Sequence, residues 1–301
     1  MARTIPEQRA AMFERMKVVL GVTDEQIARM AAILEKNAWT GQGNPDVTEH
    51  PMTRKECRER RAAAGVVDAL DPACPAPNMV SVPGADGAPA VCVDRYEFPN
   101  VACDYPVTWV SGKHAHELCS ALGKRLCDAH EWEGGCAGKV LPVEQEYDFR
   151  KPRKESKHFH NASREIRWAY GPEKDHAKCG TASTKTEKCT TQGIGWKRCG
   201  SNTYPAGSFP GCKSPHGIYD QHGNAAEHMN LPLKAEQRSN VPDGKLGETE
   251  MKGSWFIFQK YEAHDDDCRW RAPDWHASRV MVEDSHANYH LGFRCCADVK
   301  K

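Results

Sequence analysis

Apolar residues near the N terminus recur every three or four positions, which predicts two amphipathic helices within residues 6–36. The first stripe consists of Met12, Phe13, Met16, Val19 and Leu20, and the second of Ile27, Met30, Ile33 and Leu34. Gly21 ends the first helix, and Thr23 with Gln26 three residues later forms a capping box for the second. Two short helices cannot bury both stripes alone. We therefore expect them to dock on the same chain or on a partner protein.

After residue 36 the pattern of apolar and polar residues becomes irregular. Residues 37–51 are turn-rich and typical of a linker, and a short charged helix is predicted for 52–64. Residues 71–90, rich in proline, glycine and alanine, mark the approach to a new domain. The sequence therefore predicts an N-terminal helical segment with a linker over 1–75 and one domain over 76–301.

Within that domain, the alternation of residues 91–98 predicts a half-buried strand. Ser111 caps a predicted helix that Gly123 closes, and Asp128 with Glu131 caps another. Residues 139–215 lack periodicity and predict long loops held by disulfides. Apolar strands are expected at 253–258 and 291–296. Short strands, two helices and long loops indicate an α+β class.

Charge and hydropathy exclude two classes of partner. The 301 residues carry 41 basic and 41 acidic side chains, so the formal net charge is zero, which does not fit a nucleic-acid binder. There is no apolar run of about 18 residues, so no membrane span is expected. Residues 1–35 are amphipathic rather than a signal peptide, so an exported protein would have lost a leader before Met1.

Fourteen cysteines are many for a cytosolic chain of this size, and the even number favours disulfides. Metal ligation is the alternative, but no C-x-x-C pair is present. The cysteines therefore indicate an oxidising, extracytoplasmic compartment, either periplasmic or secreted.

The polar loop 217–227 suggests a cation site. Gly223 and Asn224 suit a tight reversal, because glycine tolerates a positive φ and asparagine often does. The reversal would bring Asp220, Glu227 and intervening carbonyl groups together, and oxygen ligands suit calcium. The alternative is a hydrogen-bonded turn without an ion.

Three histidine pairs have spacings that could suit copper, iron or zinc: His114 with His116, His158 with His160, and His286 with His290. An i, i+2 pair points the same way only in extended backbone. An i, i+4 pair does so only on a helix, which is not expected at 286–290. The alternative is a set of solvated loop histidines.

Six ordered segments resemble the formylglycine-generating enzyme, or sulfatase-modifying factor, family, which also contains ergothioneine sulfoxide synthases and pyoverdine-maturation proteins. The segments are 92–97 (Cys-Val-Asp-Arg-Tyr-Glu), 106–111 (Pro-Val-Thr-Trp-Val-Ser), 123–126 (Gly-Lys-Arg-Leu) with 131–133 (Glu-Trp-Glu), 217–220 (Gly-Ile-Tyr-Asp) with 223–224 (Gly-Asn), 253–255 (Gly-Ser-Trp) and 292–294 (Gly-Phe-Arg). The resemblance covers about 90–297 and leaves the N-terminal 75 or so residues outside. It implies an irregular, loop-rich fold related to C-type lectins.

The resemblance also implies specific pairings and ligands. It suggests disulfides between Cys119 and Cys295 and between Cys136 and Cys268. Cys127 and Cys296 are additional to the family pattern and could pair with each other. It implies a structural calcium held by the side chains of Asp220 and Glu227 and by the carbonyl groups of Gly223 and Ala225.

The chain departs from the family at the copper site. The aerobic members bind copper(I) through two cysteines, because a soft ion needs thiolates, and those positions here hold Ile257 and Glu262. Cys268 is better explained as a structural bridge. The iron site of the ergothioneine-type members needs histidines of a fused helical domain, and residues 1–75 contain only His50.

Two functions remain. The first is binding of a peptide or small ligand in the family groove, for which the candidates are Ser254, Trp255, Trp270 and Arg294. Residues 264–267 (His-Asp-Asp-Asp) lie nearby, and acids with tryptophans could recognise a cationic or sugar-like ligand. The alternative is a metal-dependent oxidoreductase with histidine-bound copper or iron, acting on a peptide or thiol-containing substrate. In either case the N-terminal helices could dock the chain onto a larger assembly.

Overall fold

A computed structural model describes residues 4–189, 195–242, 245–274 and 277–300. The helices are α1 (Ile5–Leu20), α2 (Asp24–Glu35), α3 (Arg54–Ala63), α4 (Gly112–Ala121), α5 (Ala129–Ala137), α6 (Val143–Glu146) and α7 (Arg153–Ser163). The strands are β1 (Met79–Pro83), β2 (Pro89–Asp94), β3 (Arg125–Leu126), β4 (Ala226–Leu231), β5 (Glu248–Lys252), β6 (Leu291–Phe293) and β7 (Cys295–Ala297). Long loops connect them, which confirms the loop-rich α+β class.

Two small sheets organise the domain. One has the strand order β1-β2-β7-β3, and its pairs are antiparallel. The other has the order β5-β4-β6, in which β4 is antiparallel to β5 and parallel to β6. Residues 291–296 thus supply a strand to each sheet, with Arg294 between them.

The predicted helical hairpin is confirmed, and it docks on its own chain. Thr4 with Glu7 and Thr23 with Gln26 form capping boxes, and Gly21 ends α1 with a left-handed φ of 66°. Met12, Met16, Met30 and Leu34 are buried in the same apolar cluster as Leu118 and Phe293 of the domain. Two short helices are not stable alone, and packing against α4 and against Phe293 of β6 supplies the missing stabilisation.

All fourteen cysteines form disulfides. The pairs Cys119–Cys295, Cys136–Cys268 and Cys127–Cys296 confirm the three expected bridges. The others are Cys57–Cys103, Cys74–Cys92, Cys179–Cys212 and Cys189–Cys199. Five bridges tie together residues more than 30 positions apart, so they supply connections that the short strands cannot.

Two predictions of local structure were wrong. Residues 253–258 are not a strand, because Gly253 turns the chain with a φ of 71° and an added Cβ there would lie 2.7 Å from the carbonyl oxygen of Gln221. The polar segment before it forms β5 instead. Residues 139–215 do not consist only of loops, since they contain α6 and α7. Ion pairs hold α7 to the domain, for example Lys157 to Asp274, so it carries no apolar stripe.

Candidate functional site

The loop 217–227 folds as a buried reversal. Asp220, Gly223 and Asn224 all have positive φ values, of 58°, 77° and 56°. The Nδ2 group of Asn224 donates to a carboxylate oxygen of Glu97 (2.6 Å), and the backbone N–H of Ala225 donates to the other (2.8 Å). The reversal therefore presents donors to a carboxylate from another segment, and it lies in the protein interior rather than on its surface.

Three buried carboxylates lie around this reversal: Glu97, Asp220 and Glu227. Burial, together with the nearby charges of Asp220 and Glu227, raises the pKa of Glu97 well above its usual value. Burial also raises the pKa of Asp220 to about 6, with Glu227 adding to the effect. In the described part of the chain, Arg294 is the one cation hydrogen-bonded to any of the three. The three carboxyl groups thus outnumber the cations of the described residues that act on them, which are Arg294 and, through its charge near Asp220, Arg61.

This donor set fits a hard cation in its chemistry. Side-chain oxygens of Asp220 and Glu227 and carbonyl oxygens of Gly223 and Ala225 are the ligand types that calcium takes, and the excess of carboxyl groups favours a cation. Glu227 already contacts Arg294 with both oxygens and accepts from the Trp132 Nε1–H at 3.0 Å, so an ion would share that carboxylate. The calcium site stays a prediction.

The groove candidates occupy different environments. Ser254 is fully buried; its hydroxyl donates to Asp266 (2.8 Å) and accepts from the backbone N–H of Gly223 (2.9 Å). Trp255 is half-buried and Trp270 is 7% exposed. Arg294 has no exposed surface and binds Glu227 and two backbone carbonyls, so it cannot line a groove. Its position in the family motif did not reveal that it is a core residue.

Aromatic and imidazole rings gather beside Ser254 into what we call the ring cluster: Trp255, His264, Trp270 and His290. The ring of His264 stacks on Trp270 with centroids 4.6 Å apart, and Trp255 lies 5.4 Å from His264 and 4.9 Å from His290. Tyr261, 56% exposed, lies close in sequence to the cluster. Of the four groove candidates, the structure brings together Trp255 and Trp270.

The predicted histidine pairs do not converge as proposed. His114 and His116 lie on α4, and His158 and His160 lie on α7, where residues two positions apart point about 200° away from each other. A loop was predicted at 158–160, but α7 forms there, so the extended backbone that would let this pair converge is not present. His286 and His290 are in a loop, as expected, and the His290 ring packs on Trp255.

Among the described residues, two groups have three metal-type ligands within reach of one another. Cys136, Cys268 and His222 form one, but the two sulfurs are already joined in a disulfide. Glu133, Glu146 and His160 form the other.

The Glu133 group is filled by the protein's own cations. Arg271 and Lys252 bind Glu133, and Arg269 binds Glu146. Burial first, and then Arg271, lowers the pKa of His160 to about 3. Neither group therefore fits a copper or iron ion.

The positions of the family's copper ligands hold no sulfur. Ile257 is buried in an apolar cluster with Phe256 and Tyr289, and Glu262 is exposed and pairs with Lys174. All the cysteines of the chain are in disulfides.

The roles of two buried acids, Asp266 and Glu97, were not predicted: Asp266 was considered only as one of the acids near the groove, and its approach to His222 in the loop was not expected. Burial alone would raise the pKa of Asp266, but a hydrogen bond with His176 and the imidazole of His222, 3.7 Å away, outweigh burial and hold the pKa below its usual range. Glu97 was noted only as part of a matching segment. No spacing in the sequence links these residues to the loop, because Glu97 lies 127 positions from Asn224 and Asp266 belongs to a different segment from His222.

Comparisons with known proteins agree with this architecture. The sequence matches the family model of the sulfatase-modifying factor enzyme 1-like domain over residues 94–299. No curated protein matches this sequence.

Similar solved structures share little sequence identity with this chain. PvdO from Pseudomonas aeruginosa is 16% identical, with 73% of this chain and 90% of that chain covered and a TM-score of 0.37. The Major Tropism Determinant I1 variant is 14% identical, with 76% and 54% covered and a TM-score of 0.37. CarF is 15% identical, with 87% and 86% covered and a TM-score of 0.33. At these values the likeness carries no information about activity. The family model, in contrast, covers more than half of the chain, and the chain therefore belongs to the sulfatase-modifying factor enzyme 1-like domain family.

Proposed function

We propose that this family member is an extracytoplasmic, calcium-stabilised protein that binds a peptide or small ligand at the ring cluster and does not perform copper–cysteine oxidation. The observation that carries the proposal is the pairing of all fourteen cysteines. Copper(I) needs thiolates, and exchange with a substrate thiol needs one as well. A chain whose cysteines are all in disulfides has no thiolate for copper(I), but it can still bind a ligand at the ring cluster.

The surroundings of the ring cluster favour a cationic ligand. Trp255 and His264 are half-buried, so part of their surface is open to solvent. Glu262 and Asp265 are exposed and lie close in sequence to His264; they pair with Lys174 and Arg164, with which a cationic ligand would compete. Tryptophan faces attract cations, and carboxylates at the edge strengthen that attraction. A peptide that presents lysine or arginine is the ligand class that this arrangement supports.

Location outside the cytoplasm is supported by the disulfides. Seven bridges in one chain of this length persist in an oxidising compartment and are rare where thiols are kept reduced. Within the described segments, no helix is long and apolar enough to cross a membrane.

Elemental mass spectrometry on untagged protein from an oxidising compartment tests the metal and thiol parts of the proposal. We expect about one equivalent of calcium, no stoichiometric copper, iron or zinc, and no titratable thiol after denaturation. Stoichiometric copper or iron would instead support the alternative, a histidine-dependent metal oxidoreductase, and would overturn the binding proposal.

Tryptophan fluorescence tests the binding part. A lysine-rich hexapeptide should change the emission, whereas a glutamate-rich hexapeptide of the same length should not. Trp255→Ala should abolish the response, and Phe159→Ala, which alters an exposed aromatic residue on α7, should leave it intact. Equal responses to both peptides would contradict the proposed ligand class.

Association with a larger assembly through α1 and α2 stays a prediction. The buried face of these helices is occupied by the chain itself, but Val18 is 85% exposed and Val19 is 46% exposed near the end of α1. Sedimentation of the Val18→Glu variant and of the parent protein compares the sizes of their assemblies. It tests whether a partner binds at this end of α1.

A further inference from the structure

A cavity of about 60 Å³ lies where α1, α3 and the linker between α2 and α3 meet the domain. It is lined by Gln8, Ala11, Arg15, Gln42, His50, Arg54 and Tyr105. The space is large enough for several water molecules or for one small polar group. Most of the lining lies before the segment that matches the family model, and none of it belongs to the ring cluster or to the loop 217–227.

Two arginines from different helices meet at this cavity on one buried acid. The Nε group of Arg15 donates to Asp104 Oδ2 (2.7 Å), and the Nε group of Arg54 donates to Asp104 Oδ1 (2.8 Å). Both also donate through Nη2 to Oε1 of Gln42, at 3.4 and 2.8 Å. The side chain of Asp104 has no exposed surface. Both guanidinium groups are therefore held in fixed positions before any ligand arrives.

These guanidinium groups keep unused donors. Each has five N–H groups, and each uses two of them on partners within the described residues. The side chains of Arg15 and Arg54 are 29% and 26% exposed, so a ligand can reach them. Two positive charges face one carboxylate, which leaves a net charge of +1 at the cavity. A planar fork of N–H donors in that setting suits an oxyanion.

An aromatic wall completes the cavity. The guanidinium carbon of Arg54 lies 4.3 Å from the ring centroid of Tyr105, and the ring of His50 stacks on Tyr105 with centroids 3.6 Å apart. Burial lowers the pKa of His50 to about 4, with Arg54 as a further cause, so the imidazole is neutral at pH 7. The two arginines thus supply the positive charge, and the stacked rings keep Arg54 in place.

We propose that this cavity binds one small oxyanion, a carboxylate, phosphate or sulfate group, between Arg15 and Arg54. The anion would bridge α1 and α3, and it would join the N-terminal segment to the domain through Asp104 and Tyr105. Binding would therefore stabilise the folded chain, because a ligand that binds only the folded state raises its stability.

Calorimetric titration of the full chain with acetate, inorganic phosphate or sulfate, at constant ionic strength set with chloride, tests the proposal. At least one anion should bind with a stoichiometry of one, and the order of affinity identifies which oxyanion the cavity accepts. Arg54→Gln should weaken binding by about tenfold or more, because a charge-assisted contact is lost. Lys55→Gln, on the same helix with the same change of charge but outside the cavity, should bind as the parent protein does.

Ala11→Leu provides a second variant that keeps both arginines and fills the cavity. It should abolish binding while the protein keeps its circular dichroism spectrum and all seven disulfides. No heat of binding with any of the three anions would overturn the proposal, as would equal weakening by Arg54→Gln and Lys55→Gln. Unchanged binding in Ala11→Leu protein would place the anion elsewhere and would also overturn it.

Discussion

Arg294 and Glu227 form a two-point ion pair in the interior of the protein. The Nε and Nη2 groups of Arg294 donate to the two carboxylate oxygens of Glu227 at 2.7 and 2.5 Å, and both side chains are essentially without exposed surface. Arg294 lies between β6 and β7, and Glu227 lies on β4. The pair therefore links the two small sheets of the domain.

Arg294→Met should destabilise the protein by about 3–5 kcal/mol, because Glu227 would remain as a buried charge without its partner. Chemical denaturation under oxidising conditions measures this change in the free energy of unfolding. The double variant Glu227→Met with Arg294→Met should recover part of the loss, since no unpaired charge remains. If the Glu227→Met substitution instead causes a further loss as large as that of Arg294→Met, an unpaired buried charge does not explain the destabilisation.

The disulfides should differ in their contribution according to the loop that each one closes. Cys119–Cys295 spans 176 positions and Cys189–Cys199 spans 10. In the chain-entropy model, loops of these lengths correspond to about 5 and about 3 kcal/mol when each bridge is the only cross-link. Cys127–Cys296 lies beside Cys119–Cys295, so while it is intact the unfolded loop that Cys119–Cys295 closes is only about 10 residues long. Replacing Cys119 and Cys295 by alanines should therefore lower the free energy of unfolding by about 3 kcal/mol, as for Cys189 and Cys199, whereas removing both long-range bridges should lower it by about 8 kcal/mol. A double loss no larger than twice the single loss would contradict an entropic origin.

The sequence predicted those parts of the fold that depend on local signals. The boxes at Thr23 with Gln26 and at Asp128 with Glu131 place a donor and an acceptor three residues apart, so the helix starts could be found without knowledge of the rest of the chain. In contrast, α7 is held by ion pairs with distant acids, such as that of Lys157 with Asp274. No periodicity in the sequence records such pairs, which is why a loop was predicted there.

The candidate site shows the same division. The positive φ at Gly223 and Asn224 was predicted from residue types alone. The contribution of Glu97 could not be predicted, because its contacts with Asn224 and Ala225 join segments about 128 positions apart. Likewise, Arg294 belongs to a motif that suggested the groove, but only its contacts reveal that it is a buried partner of Glu227.

Stability should fall as the pH decreases from 7.5 to 5, because buried histidines, among them His50 and His130, resist protonation. Burial lowers the pKa of both His50 and His130 from 6.5 to about 4. A group with a lowered pKa contributes stability that is fully present above 6.5, and that contribution is lost as the pH falls toward 4. At pH 5 the loss should be about 2 kcal/mol for each histidine. Urea denaturation at the two pH values measures it.

His130→Gln separates this effect from general acid denaturation. The variant lacks one of the histidines whose pKa is lowered by burial, a group that also includes His160, so its stability should depend less on pH over the same range. His158→Gln, at an exposed position on α7, serves as the matched control and should keep the slope of the parent protein. A His130→Gln slope equal to that of the control would show that His130 is not buried in the neutral form.

Removal of calcium should destabilise the folded chain, because Asp220 and Glu227 would lose the ion that they share with the carbonyl groups of Gly223 and Ala225. Asp220, Glu227 and the neighbouring Glu97 are buried around one reversal, and among the described residues only Glu227 is hydrogen-bonded to a cation, Arg294, so a divalent ion would offset the remaining repulsion. At free calcium about 100 times the dissociation constant, the ion would add about 3 kcal/mol to the free energy of unfolding. Thermal unfolding in calcium, in magnesium and in a chelator measures the difference.

Asp220→Asn identifies the loop as the origin of any calcium effect. The variant keeps an oxygen at this position but removes a negative charge, so the protein should lose most of its response to calcium. Its stability in the chelator should equal or exceed that of the parent protein, because burial of the Asp220 carboxylate is unfavourable when no ion is present and raises its pKa. A variant that responds to calcium as the parent does would place the ion elsewhere. If the parent protein unfolds at the same temperature in calcium and in chelator, the loop binds no stabilising ion. It is then a hydrogen-bonded turn in which Glu227 is paired with Arg294.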